Sequence, residues 1–320
     1  MIHRLIRTAL VGLAICGATP LLAQEAEGTK APLNSQKIYT VGFAQDTMSN
    51  DWRAAQVNEV KRELDNYPEI RFIVTDAKGS SARQGFDFER LANEGVDILI
   101  TSPRDVRSMT PVVEEVMKRG IPVILLSRRI MSDDYTTFIG ADDREIARAA
   151  ARHLAQELNG KGRVVMLKGV ATATTAIARA EGFIEEMRNH PGIEIVAQPT
   201  ANYRRNIAIK EMEKVISAGI EFDALYAHSD SMATGARMAM TMAGIDPKSK
   251  IIVGIDYISE AREAIRNGEQ SASFTYPTAG RQGAEAVVQI IRGDKVAKEQ
   301  TIPFTLVTKQ NVDQVETIFK

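Results

Sequence analysis

After Gln36 the chain alternates between two hydrophobic patterns. Short runs rich in Val and Ile occur at "IYTVGFA" (38–44), "RFIVTD" (71–76), "DILITS" (97–102), "PVILLS" (122–127), "RVVMLK" (163–168), "IEIVAQ" (193–198), "DALYAH" (223–228) and "KIIVGID" (250–256). Each has the length of a strand, and their unbroken apolar character predicts strands covered on both faces. Between them the period lengthens to that of a helix. Residues 53–64 set Val57, Val60 and Leu64 on one face, and residues 142–158 do the same with Ile146, Ala150, Leu154 and Leu158. Strand and helix in turn predict an α/β fold of parallel sheets with right-handed crossovers.

The pattern occurs twice. "LANEGVDILITS" and "KRGIPVILLS" in the first half correspond to "VISAGIEFDALYAHS" and "MAGIDPKSKIIVGID" in the second. This predicts two similar Rossmann-like lobes, divided near "FIGADD" at 138–143. The predicted strands end in polar residues: Gln45 and Asp46, Thr75 and Asp76, Ser102, Ser127 and Arg128, Ser229 and Asp230, and Asp256. Ligands of open α/β sheets sit outside the carboxyl ends of the strands, so two facing lobes would frame a cleft lined with hydrogen-bonding groups.

The first residues follow other rules. Arg4 and Arg7 precede a short apolar stretch from Thr8 to Leu22, and Ala23 offers a small residue for cleavage. The stretch is too short to span a bilayer, so residues 1–23 are expected to be a secretory signal peptide, followed by a flexible lead-in at 24–36. The only cysteine, Cys16, lies in that signal, which would leave the mature protein without disulfides or thiolate sites. Composition adds one exclusion. A formal charge of -1 on 320 residues gives no global electrostatic reason to bind nucleic acid or an anionic membrane.

His228, Ser229 and Asp230 stand in a row and invite comparison with a hydrolase triad. Consecutive strand residues point to opposite faces, and the nucleophile elbow needs glycines where Ala227 and Ser231 stand. A strand end followed by a helix N-cap, with Ser229 or Asp230 accepting from free N–H groups, fits better. None of the four histidines has metal-ligand spacing, and no phosphate loop or dinucleotide fingerprint occurs. The expectation is therefore a protein that is not an enzyme and needs no cofactor or metal.

The order of motifs resembles the periplasmic sugar-binding proteins of bacterial ABC transporters, in the ribose- and galactofuranose-binding group of type I periplasmic binding proteins. The landmarks are "VGFAQDTMSNDWRAAQ", "GVDILITSP", "GIPVILLSRR", "TTFIGADD", "TTAIARAEGF", "ANYRR", "YAHSDSMATGA" and "IIVGIDYI", running from about Tyr39 to Lys309. The resemblance implies two lobes joined by three crossing segments, with lobe one at 37–140 plus 277–304 and lobe two at 141–276 plus 305–320. It implies ligand contacts at Asn50, Trp52, Arg53, Ser127, Arg128, Arg179, Tyr203, Arg205, Ser229, Asp256 and Tyr276. An aromatic face suits the C–H side of a sugar ring, and Asp, Asn and Arg suit its hydroxyls. Two positions depart from the family. Ser127 stands where it has Asp, and Ser229 where it usually has Asn. A site short of a carboxylate but near Arg53, Arg104, Arg128, Arg179 and Arg205 would suit an acidic sugar.

The function so implied is an exported, monomeric periplasmic receptor that captures a sugar and delivers it to an ABC permease, with no membrane insertion of the mature protein. A sensory receptor of the same fold, for chemotaxis or autoinducer signalling, is the alternative. A lactose-repressor-like sensing domain fits less well, because the chain opens with an export signal instead of a basic helix-turn-helix.

Overall fold

The computed structural model describes Leu33 and residues 36–318. The expected signal peptide and all of the lead-in but Leu33 and Gln36 lie outside the described residues. Leu33 itself is buried against Tyr67 and Val288.

Each of the eight apolar runs forms a strand. In the first half these are β1 (Tyr39–Gln45), β2 (Ile70–Asp76), β3 (Ile98–Thr101) and β4 (Val123–Leu126), joined by β5 (Thr137–Gly140). The second half supplies β6 (Gly162–Leu167), β7 (Ile193–Ala197), β8 (Ala224–Ala227), β9 (Ile251–Val253) and β10 (Ala272–Phe274). Two short strands close the chain, β11 (Glu299–Thr301) and β12 (Leu306–Thr308). They build two six-stranded sheets of matching order, β11-β5-β4-β3-β1-β2 and β12-β10-β9-β8-β6-β7. The first sheet is parallel throughout. In the second, β12 runs antiparallel to β10, a departure from the all-parallel expectation. Because β10 and β12 belong to one sheet and β11 to the other, the chain passes between the lobes three times: after β5, after β10 and after β11.

Helices cover both faces of each sheet, which explains the strands' continuous apolar runs. In lobe one, α1 (Asp51–Leu64) and α9 (Gly280–Arg292) cover one face, with Val57, Val60, Leu64 and Val287 packed on β1 and β3. On the other face lie α2 (Ser81–Asn93) and α3 (Val106–Lys118), through Phe88, Leu91, Met109 and Val113. Lobe two repeats the arrangement. There α4 (Asp143–Glu157) and α5 (Thr174–Met187) pack Ile146, Leu154 and Phe183 on one face. Opposite them, α6 (Arg205–Ser217) and α7 (Asp230–Met242) pack Met212, Met232 and Met240. A further helix, α8 (Ser259–Asn267), follows β9.

In both sheets the first strand sits between the second and third. The strand order therefore reverses beside β1 and β6, and the loops on either side diverge to leave a crevice.

Candidate functional site

The loops at the carboxyl ends of both sheets enclose a cavity with about 540 Å³ of empty space, mouth included. That volume suits a small ligand. Nine of the eleven residues expected to contact a ligand line it: Asn50, Trp52, Arg53, Arg128, Arg179, Tyr203, Ser229, Asp256 and Tyr276. The other two do not. Ser127 Oγ lies 3.2 Å from both Arg53 Nη1 and Ser102 Oγ, which places it behind Arg53. Arg205 opens α6 and turns outward to Glu260, 2.6 Å away. The cavity is lined instead by its neighbour Arg204, together with Asp46, Thr47, Arg104, Val170, Thr175 and Asn202, none of which was among the expected contacts.

Lobe one contributes a dense charge network. Asp46, one residue past β1, is 1% exposed and accepts from Arg128 Nη1 at 2.9 Å. Arg104 Nη1 and Arg53 Nε each lie 3.5 Å from the same carboxylate. Burial alone would push Asp46 upward, but Arg128, Arg53 and Arg104 together hold it below the usual carboxylate range. Burial and the neighbouring Arg128 pull Arg53 down to about 10. Asp46 therefore supplies the carboxylate that position 127 lacks, and supplies it from another strand. The expectation of a carboxylate-poor site is corrected to that extent. Two atoms of the network still have no hydrogen-bond partner, Asp46 Oδ1 and Arg128 Nε.

Lobe two and the crossovers supply a different wall. Arg179, on α5, is 2% exposed and donates from Nε to Asp143 Oδ1 at 2.7 Å. Burial disfavours its charge, but Asp143, Tyr203, Tyr276 and Asp256 hold it well above its ordinary value. Tyr276, on the second crossover, donates its hydroxyl to Asp143 Oδ2 at 3.1 Å. One carboxylate thus fixes two cavity-lining side chains. The Tyr276 ring lies 5.4 Å from that of Trp52 and 4.3 Å from the Arg179 guanidinium. Trp52, on α1 of lobe one, donates Nε1–H to the Tyr276 carbonyl at 3.0 Å. It serves the core as well as the cavity, since it packs with the apolar cluster of lobe two. Tyr203 stands between the lobes, its ring 5.8 Å from Arg128 and 5.9 Å from Arg179. Gly169 is required there, because a side-chain carbon at that position would sit 2.0 Å from Tyr203 Cζ.

Asp256 is the exception in this wall. It is 6% exposed, and no donor among the described residues reaches its carboxylate. Burial drives it well above the usual carboxylate range despite Arg179 nearby. Its backbone is held at φ 114°, and Ser127, Asn202, Tyr203, Tyr257 and Ala279 also take positive φ. These non-glycine residues gather at the strand ends and crossovers that frame the cavity. Strain held in place at such positions points to function.

The three consecutive residues 228–230 perform separate tasks. Ser229 caps α7, its Oγ accepting from Met232 N at 3.3 Å, in accord with the N-cap reading. His228 Nδ1 accepts from Gly169 N at 3.2 Å, and Asp230 binds Tyr257 N at 2.7 Å and Ser273 Oγ at 2.6 Å. Of the pair at 128 and 129, Arg128 faces the cavity while Arg129 pairs with Glu299 outside it, 2.7 Å away.

The lobes also touch directly. Asn50 Nδ2 donates to the Tyr203 carbonyl at 3.1 Å, Thr172 Oγ1 to the Arg104 carbonyl at 3.2 Å, and Arg129 N to Thr174 Oγ1 at 2.9 Å. Among the described residues no helix is long and apolar enough to cross a membrane, and no group of His, Cys, Asp and Glu is arranged to hold a metal ion.

Known proteins share this architecture. The galactofuranose-binding protein of Escherichia coli is 33% identical over 242 residues, covering 73% of this chain and 76% of that protein. Among solved structures, the fructose-binding periplasmic domain of a hybrid two-component system is 34% identical, with a TM-score of 0.82 over 86% of this chain and 92% of its own. An ABC transporter solute-binding protein from Bacillus halodurans with bound myo-inositol is 29% identical, with a TM-score of 0.82 over 87% of this chain and 97% of its own. The model of the periplasmic binding protein domain matches residues 41–295. With the two-lobed fold, this match shows that the chain belongs to the periplasmic binding protein family.

Proposed function

We propose that this chain is an exported solute-binding protein. It closes on one sugar or sugar-like polyol between its lobes and hands it, chemically unchanged, to an ABC permease. The observation that carries this reading is the convergence of unmet hydrogen-bonding capacity beside an aromatic wall. Among the described residues Asp46 Oδ1 and Arg128 Nε have no hydrogen-bond partner and no donor reaches the Asp256 carboxylate, and all three residues border the cavity where Trp52 and Tyr276 present their rings. Carboxylates accept and guanidiniums donate, so alternating hydroxyls around one small ring would satisfy both, while the rings cover its C–H face. The ligand names of the relatives, galactofuranose, fructose and myo-inositol, fall in that class. Delivery to a permease accords with the solute-binding relative, and export with the N-terminal signal pattern.

A thermal-shift screen of the purified protein against sugars and polyols tests the reading. At least one compound should raise the melting temperature and be recovered intact after release. A screen without a single stabilising carbohydrate, or recovery of an altered compound, would reject it. The two-component relative favours a second reading, in which the same clamp reports a sugar to a sensor. Labelled-ligand uptake separates the two: deletion of this chain abolishes uptake if it serves a permease and leaves it intact if it serves a sensor.

A further inference from the structure

Five arginines line the cavity, Arg53, Arg104, Arg128, Arg179 and Arg204, against two carboxylates, Asp46 and Asp256. The charges are not evenly spread. At the inner end, Arg179 is matched by Asp143 at 2.7 Å and faces Asp256. At the other end Asp46 must serve Arg53, Arg104 and Arg128 together. Arg204 adds a further positive charge, and among the described residues its side chain donates only to the Ser49 hydroxyl, at 3.3 Å.

Arg104 and Arg204 come from opposite lobes, the first after β3 and the second just before α6. The closed cleft brings them together at Gly79. A side-chain carbon built there would lie 3.6 Å from Arg204 Nη2 and 3.8 Å from Arg104 Cζ. Burial lowers Arg104, Asp46 offsets part of that, and the charges of Arg128 and, less strongly, Arg204 lower it further. Two like charges that approach only when the lobes close oppose closure unless a counter-charge enters with the ligand. Asp46 meets that need only in part, since Arg104, at 3.5 Å, shares it with Arg128 at 2.9 Å and Arg53 at 3.5 Å.

We propose that the ligand is an acidic polyol, a sugar acid whose carboxylate lies between Arg104 and Arg204 while its hydroxyls reach Asp256. The inference rests on the polyol reading above and deepens it. Its basis differs from that read in the sequence: Asp46 restores the carboxylate missing at 127 and Arg205 points away, while Arg204 faces in. Guanidinium forks suit a planar carboxylate.

The test is titration calorimetry on the full mature protein with matched pairs, a uronate beside its parent hexose and an aldonate beside its alditol, in wild type and in Arg104→Gln/Arg204→Gln. In wild type the acid of the best pair should bind at least about 10-fold more tightly than its neutral partner, with the advantage shrinking as salt rises. In the double variant the two should bind within about 3-fold of each other. A neutral member that binds wild type as tightly as its acid, or an acid preference that survives the double substitution, overturns this proposal and leaves the polyol reading standing. If no member of any pair binds, both fail.

Discussion

Asp46 of lobe one and Asp230 of lobe two are buried by opposite means. In lobe one, Asp46 is surrounded by the guanidiniums of Arg128, Arg53 and Arg104 and is held below its ordinary range. In lobe two, Asp230 is surrounded by neutral donors: the Tyr257 amide, the Ser273 hydroxyl and the Gln270 amide group. Those donors do not offset its burial, and it is pushed up to about 6. Asp256 receives no donor among the described residues and lies well above its range. A carboxylate enclosed by charge is held in its ionised form. One left without a donor is a place where something else must bind. Lobe one thus brings a positively biased wall with two atoms still unmet, Asp46 Oδ1 and Arg128 Nε, and lobe two brings the carboxylate with the open valence.

The largest effect should come from dismantling the lobe-one network. Asp46→Ala leaves three guanidiniums facing one another, and removing one partner of a buried pair costs about 3–5 kcal/mol. Urea unfolding of Asp46→Ala should show that loss. Asp46→Ala/Ser127→Asp should recover part of it, because a carboxylate at 127 starts beside Arg53 Nη1, 3.2 Å from the serine hydroxyl. A loss under about 1 kcal/mol would mean that solvent screens the network and that the contrast between the lobes is false.

Asp230 tests the other side of the contrast through pH. A folded value above the unfolded one gives stability that is present at low pH and lost as pH rises through the folded value. A rise from 3.8 to about 6 corresponds to roughly 3 kcal/mol. Relative to Asp230→Asn, the wild type should lose about that much between pH 4 and pH 7, measured by urea unfolding at each pH. The sign for Asp46 is reversed: its contribution is present above the ordinary Asp range and disappears as pH falls through its lowered folded value. A constant difference between wild type and Asp230→Asn would place Asp230 in the same class as Asp46.

Asp256→Asn separates binding from folding. Charge-assisted hydrogen bonds contribute about 1.5–3 kcal/mol each, so ligand affinity should fall about 10- to 150-fold. The empty protein should nonetheless melt about 2 °C higher, because an unpartnered buried charge has been removed. Loss of both affinity and stability would show that the carboxylate has a structural partner and is not an open valence.

These carboxylates also mark what the sequence made legible. The eight Val- and Ile-rich strands and the duplication were readable, because buried parallel strands are continuously apolar and their carboxyl ends are polar; the nine cavity residues were implied by the family resemblance. Of these, Arg128 and Asp256 also follow from the strand-end rule, whereas Trp52, in α1, does not. The strands β5, β10, β11 and β12 lack a run of Val and Ile, and all four border the crossovers. Asp46 was visible as a strand end, but the resemblance directed attention to position 127 for the carboxylate. Nothing local reveals that Asp46 reaches Arg128 across 82 residues of chain. Choosing between Arg204 and Arg205 depended on one residue of helix phase at the start of α6. Asp143 lies in a crossover, and its hold on Arg179 and Tyr276 exists only once three separate segments have met.

The smallest predicted effect concerns the contact that joins the two walls. Asn50 has two roles: its Oδ1 caps α1 by accepting from Arg53 N at 3.1 Å, and its Nδ2 crosses to the Tyr203 carbonyl at 3.1 Å. Serine keeps the cap but has no amide group to cross the cleft, whereas alanine keeps neither. Asn50→Ala should therefore lose about 1 kcal/mol of stability and Asn50→Ser almost none, by urea unfolding. Both should weaken ligand binding by the same few-fold, about 1 kcal/mol for one hydrogen bond formed between the lobes. If Asn50→Ser binds as well as wild type, the crossing bond adds nothing to closure, and the lobes are held together by what lies between them alone.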